Sequence, residues 1–343
     1  MTPFRIDPNR MDATGAEAPA WRRFVIAFVG TLLGVIALVY AAIILIDPYD
    51  TGYFPSIIGP GVVDDRDLTN VVGRARDPRF DAGIFGNSHG LLLNPSRLST
   101  ASGLSFVQLA TVNSGPREQL TVLRYFLRRH SRVRAIVLAA DRFWCTHDPT
   151  LPEIPFVGYR FPYWLYSDDR LEYLANMLST RPFRLFGRRI LLGVGKIAPI
   201  DPVGESHYPP EWDHRPRPDN FLERVHRTTI VAPGPIDTSF PAMDRLNELL
   251  AAVPDDVAVI VVLPPLYYRL LPDEGTVEAA ELDRCKERLA QAAARFPRGA
   301  FVDLLTESPL SRDRANFVDF DHMRDHVARQ IEERIAQALH SAR

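Results

Sequence analysis

Residues 81–90 read Asp81-Ala82-Gly83-Ile84-Phe85-Gly86-Asn87-Ser88-His89-Gly90. A short apolar run closed by a glycine turn marks the end of a buried strand about to enter a helix. A serine on that turn has its hydroxyl at the carboxyl edge of a sheet, where backbone N–H groups can face a developing oxyanion. Packing alone also produces such turns, so the surroundings decide. Downstream, apolar runs alternate with helical periods. Ser105–Val112 and Val133–Ala140 read as strands, as do Val257–Leu263, closed by Pro264-Pro265, and Phe301–Leu305. Pro116–His130 is an amphipathic helix opened by its proline, with Leu120, Leu123, Tyr125, Phe126 and Leu127 on one side. A second helix covers about 276–295. The last runs from His322 to Leu339 with Val327, Ile331, Ile335 and Leu339 at a spacing of four. The alternation predicts an α/β fold, a three-layer sandwich around a mainly parallel sheet.

Upstream of that domain, Phe24–Ile46 is 23 residues without a charge, close to the roughly 20 that cross a bilayer. Arg22 and Arg23 precede it, and Asp47 and Asp50 follow. The positive-inside bias predicts a cytoplasmic tail over 1–23, an uncleaved signal anchor over 24–46 and the remainder outside, periplasmic in a bacterial cell. A mean hydropathy of −0.09 excludes a polytopic membrane protein. The net charge of −2, with no long basic block, gives no field for nucleic acid.

Residues 47–78, rich in Pro, Gly and Asp, read as a linker on the domain surface. The domain itself is split into 79–142 and 236–343. Between them, residues 143–235 hold 13 of the 29 prolines and break the strand–helix rhythm. This stretch reads as an inserted cap, with Trp144, Tyr163, Trp164 and Trp212 available to stack on sugars; the alternative is an aromatic subcore. Two cysteines cannot build a disulfide scaffold or a metal site. Outside the membrane Cys145 and Cys285 can pair, and two buried thiols are the alternative.

The second chemical signal is Asp319-Phe320-Asp321-His322. An Asp three residues before a His lets its carboxylate hold one ring nitrogen, leaving the other to take a proton from a serine. Asp321 also reads as an N-cap of the last helix. A GxSxG turn also fits an α/β-hydrolase elbow, but only 41 residues separate the apolar span from Ser88, too few for the strands that precede the serine there.

The arrangement resembles the SGNH (GDSL-like) hydrolase superfamily, through Ser88 in FGNSHG, Gly115 in VNSGP and Asp319/His322 in DFDH. With its anchor it is most similar to the members of DltD type and of polysaccharide O-acetylation type. The resemblance covers roughly 79–142 and 236–343. It implies an SGNH/flavodoxin-like sandwich, Ser88 as nucleophile, His322 as base, Asp319 as its orienter, and the Ser88 and Gly115 N–H groups as oxyanion hole. The family's GxND asparagine is missing, and Asp141 stands at that strand end. An ionised Asp cannot donate to an oxyanion, which leaves Asn113 or Asn87 as substitutes.

Asp141 reads equally as a strand-end residue or a site wall, and Arg117 as an anion contact or a solvated side chain. Asp141, Trp144 and Arg117 are therefore the substrate-binding candidates. His89 reads as a tuner of the pocket or an exposed side chain. His322 and His326 lie four apart but lack a third ligand, so no metal and no cofactor are expected. The implied activity is an envelope-facing serine esterase or O-acyltransferase acting on a polysaccharide or other acylated envelope polymer, with a polytopic membrane acyltransferase as a partner. The rival class is a non-catalytic scaffold of a polysaccharide assembly complex.

Overall fold

A computed structural model describes residues 14–63, 67–146, 148–149, 161–205, 239–319 and 321–341. Five parallel strands form one sheet in the order β2-β1-β3-β4-β5: β1 (Ala82–Gly86), β2 (Phe106–Gln108), β3 (Ala135–Ala139), β4 (Ala258–Leu263) and β5 (Ala300–Asp303). The α-helices among the described residues are α1 (Thr14–Ile46), α2 (Asp67–Ala75), α3 (Pro95–Ser102), α4 (Pro116–Arg129), α5 (Phe143–Thr146), α6 (Arg170–Met177), α7 (Thr180–Gly193), α8 (Pro241–Leu250), α9 (Val277–Ala294), α10 (Pro309–Arg312) and α11 (Asp325–Ser341).

β1, β3 and β4 are apolar and buried at every position because both faces of the sheet are covered. Phe85, Ile136, Leu138, Val259 and Val261 pack with α2, α4, α8 and α9. Ile84, Val137, Ile260 and Val262 pack with α3 and α11 on the opposite face. The fold is thus the expected three-layer α/β sandwich. β2 ends earlier than its apolar run. Leu109 and Thr111 still donate to Ile84 and Gly86 of β1 at 2.8 and 2.9 Å, beyond the regular strand. On its free side, Gln108 N–H donates to the Val203 carbonyl, so a segment of the expected cap covers part of this sheet edge.

The segment expected as a surface linker is part of the core. Tyr49, Val71, Val72 and Ala75 are buried with α4, and α2 lies inside it. The apolar face of α2 supplies the cause: its burial against α4 outweighs the Gly- and Pro-rich composition around it. The described part of the insert behaves likewise, with Leu165, Tyr166, Tyr173 and Met177 joining the same cluster. Trp212 lies outside the described residues. Cys145 of α5 is bonded to Cys285 of α9, which settles the open choice between a pair and two thiols.

Helix α1 begins well before Phe24, and its apolar stretch Ala20–Ile46 has a mean hydropathy of 2.7 over its most apolar window. One N-terminal helix is therefore long and apolar enough to anchor the chain in a membrane. Ile331 of α11 is fully buried against the sheet. Ile331→Ala is expected to cost about 2–5 kcal/mol in urea unfolding. A loss below about 0.5 kcal/mol, the scale of surface substitutions, would put α11 outside the core.

Candidate active site

The turn after β1 is shaped by contact with β3. Gly86 has φ +148, and a Cβ built there would lie 2.5 Å from the Ala139 carbonyl oxygen. Only glycine tolerates both conditions. The chain then turns through Asn87, Ser88 and His89 into a 3-10 turn over Gly90–Leu92. Ser88 stays half-buried at the carboxyl ends of β1 and β3, where the strand order reverses direction.

The opposite wall comes from the far end of the chain. Phe317 and Met323 form an antiparallel bridge, and Val318 N–H donates to the His322 carbonyl at 2.8 Å. This hairpin carries Asp319 at its bend. The Asp319 Oδ1 accepts the backbone N–H of His322 at 2.7 Å and of Asp321 at 3.1 Å. Across 234 residues of sequence, His322 Nε2 lies 3.0 Å from Ser88 Oγ, and His322 Nδ1 lies 3.0 Å from each Asp319 oxygen. The three expected residues thus form one hydrogen-bonded row.

A second carboxylate joins them. Asp321 Oδ1 is also 3.0 Å from His322 Nδ1, so Asp321 does not cap the last helix. That helix starts at Asp325, later than expected, because the 317–323 bridge holds the chain extended before it. Consequently His322 and His326 share no helix face, and His326 Nε2 contacts Asn316 Oδ1 at 2.8 Å. Burial draws the His322 imidazolium toward its neutral form. The hydrogen bonds to Asp319 and Asp321 outweigh it and push the pKa up to about 10. Burial also disfavours an ionised Asp319, but the hydrogen bonds from His322 and Asp321 hold its carboxyl below the usual range.

His89 is buried beneath this pair, with ring centroids 5.3 Å apart. Its Nε2 stands 4.0 Å from Asp321 Oδ2, beyond hydrogen-bond reach. Burial pushes its pKa down to about 4. His89, Asp321 and His322 offer metal-type donor atoms within 4.8 Å of one another. Both ring nitrogens of His322 are already bonded, to Asp319 and to Ser88, so a metal on this imidazole and the serine row exclude each other.

The oxyanion side departs from expectation. Gly115 N–H donates to Glu118 Oε2 at 3.0 Å, so this donor belongs to the start of α4 and not to the space over Ser88. Glu118 in turn accepts from the Tyr163 hydroxyl. Sequence reasoning missed Glu118, although a Glu at the third helical position after Gly115-Pro116 is a recognisable signal for a bond back to the cap. Asn87 Nδ2 donates to Asp141 Oδ2, and Asp141 Oδ1 accepts Phe143 N–H at 2.9 Å. Both side chains are buried, and their bond ties the serine turn to the end of β3. Asn113 is exposed on a left-handed backbone (φ 50). Ser88 N–H has no acceptor among the described residues.

Of the substrate candidates, Trp144 is displaced. Trp144 is 1% exposed and donates to Gln119 Oε1 at 2.8 Å, a core position that no sugar reaches. Arg117 stacks on Tyr163 at 5.0 Å. Trp164 packs edge-on against Tyr49.

The chain matches no family model. A search of curated proteins returned no match either. The chemistry therefore rests on the side chains themselves.

The two histidines titrate on opposite sides of their ordinary value of 6.5. Because the folded His322 pKa is raised, its contribution to stability is complete below about pH 6.5 and is lost as pH climbs through about 10. The His89 pKa is depressed, so its contribution is complete above about pH 6.5 and is lost as pH falls toward about 4. Imidazole proton NMR of the folded protein is expected to give one midpoint well above and one well below 6.5, and Asp321→Asn to lower the upper one. Two midpoints near the ordinary value would contradict the geometry.

Proposed function

We propose that this chain is a membrane-anchored serine esterase or O-acyltransferase of SGNH (GDSL-like) type, acting on acyl groups of a cell-surface polysaccharide or related envelope polymer. The observation that carries this reading is the Ser88–His322–Asp319 row, with both hydrogen bonds at 3.0 Å and Ser88 brought to His322 across 234 residues of sequence. In the first step Ser88 Oγ bonds to the acyl carbon while its proton passes to His322 Nε2. The tetrahedral intermediate then collapses, the ester C–O bond breaks, and the leaving alcohol takes that proton. Water or a sugar hydroxyl, deprotonated by His322, releases the acyl group from Ser88 in the second step. Asp319 fixes the ring tautomer and stabilises the imidazolium throughout.

The compartment follows the same reading. The Cys145–Cys285 bond suits an oxidising space. Arg22 and Arg23 before the apolar helix favour a single-pass inner-membrane protein with its N-terminus inside and its bulk periplasmic. A polytopic acyltransferase in the same membrane would supply the acyl donor.

One observation favours a second reading, a non-catalytic scaffold of a polysaccharide assembly complex. Of the two backbone donors expected over the nucleophile, Ser88 N–H alone lacks an acceptor among the described residues, since Glu118 holds Gly115, and Asp141 stands in place of the asparagine donor. Each missing oxyanion donor costs about 10²–10³ in rate.

A fluorophosphonate probe separates the two. The enzyme is expected to label at Ser88, with Ser88→Ala and His322→Ala each lowering turnover by at least about 10⁴ and the double variant losing little more. Labelling is expected to quicken as pH rises toward about 10, because only neutral imidazole accepts the serine proton. Asp321→Asn removes a carboxylate that favours imidazolium and is expected to shift that rise to lower pH. Wild-type protein that neither labels nor turns over any ester at any pH would leave the scaffold reading.

A further inference from the structure

We infer that α6 and α7 form an interfacial platform that lies on the bilayer spanned by α1 and recognises its anionic lipid headgroups. Outside α1, eight large apolar side chains among the described residues are highly exposed, and all but Val277 fall in one region. They include Ile57 at 76%, Leu171 at 77%, Leu178 at 67%, Phe183 at 53% and Val194 at 63%. A water-facing domain scatters such residues singly, whereas their concentration marks an interface.

The platform is continuous with the apolar helix. The Tyr40 hydroxyl donates to the Leu174 carbonyl within α6, and α7 packs along α1. Ile57 N–H donates to the Leu45 carbonyl, and a Cβ at Gly193 would touch Ile58. Arg189, fully buried, bolts α7 to the same loop through the Gly59 and Gly61 carbonyls and Asp50. Length fixes the depth. The 27 residues of Ala20–Ile46 rise roughly 40 Å against a hydrocarbon core of about 30 Å. The last turns of α1, where Ile43 and Ile46 are buried in the domain, therefore stand at headgroup level, and α6 and α7 stand beside them.

Charge selects the occupant. From Met177 to Ile200 there is no Asp or Glu, but there are four Arg and one Lys. Arg189 is internal and Arg181 donates to Thr69 at 2.8 Å. Arg184 and Lys196 are exposed and Arg188 is half-buried. The acids of this region are Asp168, Asp169 and Glu172, before α6 or in its first turn, and Asp201, directly after Ile200 and paired with Arg74 at 3.8 Å. Apolar side chains interleaved with guanidinium and ammonium groups on a helix beside a span fit an acidic lipid surface.

The test uses the full chain in vesicles. Both native cysteines are paired, so a single added cysteine carries the fluorophore. Labels go on Phe183→Cys and Leu191→Cys, with Val277→Cys as the exposed control and Leu33→Cys reporting the span. Doxyl-labelled lipid is expected to quench Phe183→Cys and Leu191→Cys several-fold more than Val277→Cys. Quenching is expected to rise when a third of the phosphatidylcholine is replaced by phosphatidylglycerol. Arg184→Glu with Lys196→Glu is expected to abolish that rise, and a rise that survives overturns the charge recognition. Strong quenching at Leu33→Cys with none at Phe183→Cys and Leu191→Cys overturns the platform while keeping the span. So does shielding of those two labels from iodide in native membranes but not in vesicles, which would assign the face to a protein partner. None of these outcomes depends on the serine chemistry.

Discussion

No side chain larger than hydrogen fits at Gly86, and the geometry of the candidate site descends from that restriction. The close approach to the Ala139 carbonyl keeps the ends of β1 and β3 together while the chain reverses within three residues. The same reversal carries Ser88 up between the two strand ends and drops His89 beneath it. Asn87 and Asp141 then lock the two strand ends by side chains, as the main chain can no longer pair there. A methyl group at this point would push the strands apart and disturb the serine, the buried histidine and the Asp141 contact together.

The other half of the site is positioned by helix packing. α11 lies on the sheet through its aliphatic stripe and on α3 through polar contacts. Glu332 accepts from the Arg97 guanidinium and from Asn94 N–H at 2.7 Å, and Arg97 also pairs with Asp325 at 3.0 Å. α3 follows the serine turn and α11 follows the histidine hairpin. The partly buried Arg97 cluster thus connects the two segments at their helices, one step behind Ser88 and His322. Hydrogen bonds of this charged kind add orientation as well as energy.

The strands were legible because a parallel sheet covered on both faces demands continuous apolar runs. Ser88, Asp319 and His322 were legible because their chemistry needs a turn glycine and a fixed carboxylate-to-imidazole spacing. Asp321 was not, since its role depends on where the last helix begins, and the Phe317–Met323 pairing decides that. Trp144 and residues 47–78 misled for one reason: composition reports polarity along the chain but not which segments the sheet faces leave room to bury. Gly115 misled because its N–H has an acceptor of its own close by, Glu118 in the first turn of the helix that Gly115 caps.

The bond between Cys145 and Cys285 also changes the connectivity of the molecule. It closes the chain from α5 to α9 into a covalent ring that contains β4 and all of the insert beyond α5. The ring is thereby a bight pinned at Cys145 and Cys285, with the insert and β4 inside it. A protease that cuts once inside the ring opens it and releases nothing. The half bearing the apolar helix and Ser88 and the half bearing His322 remain one molecule until a thiol separates them.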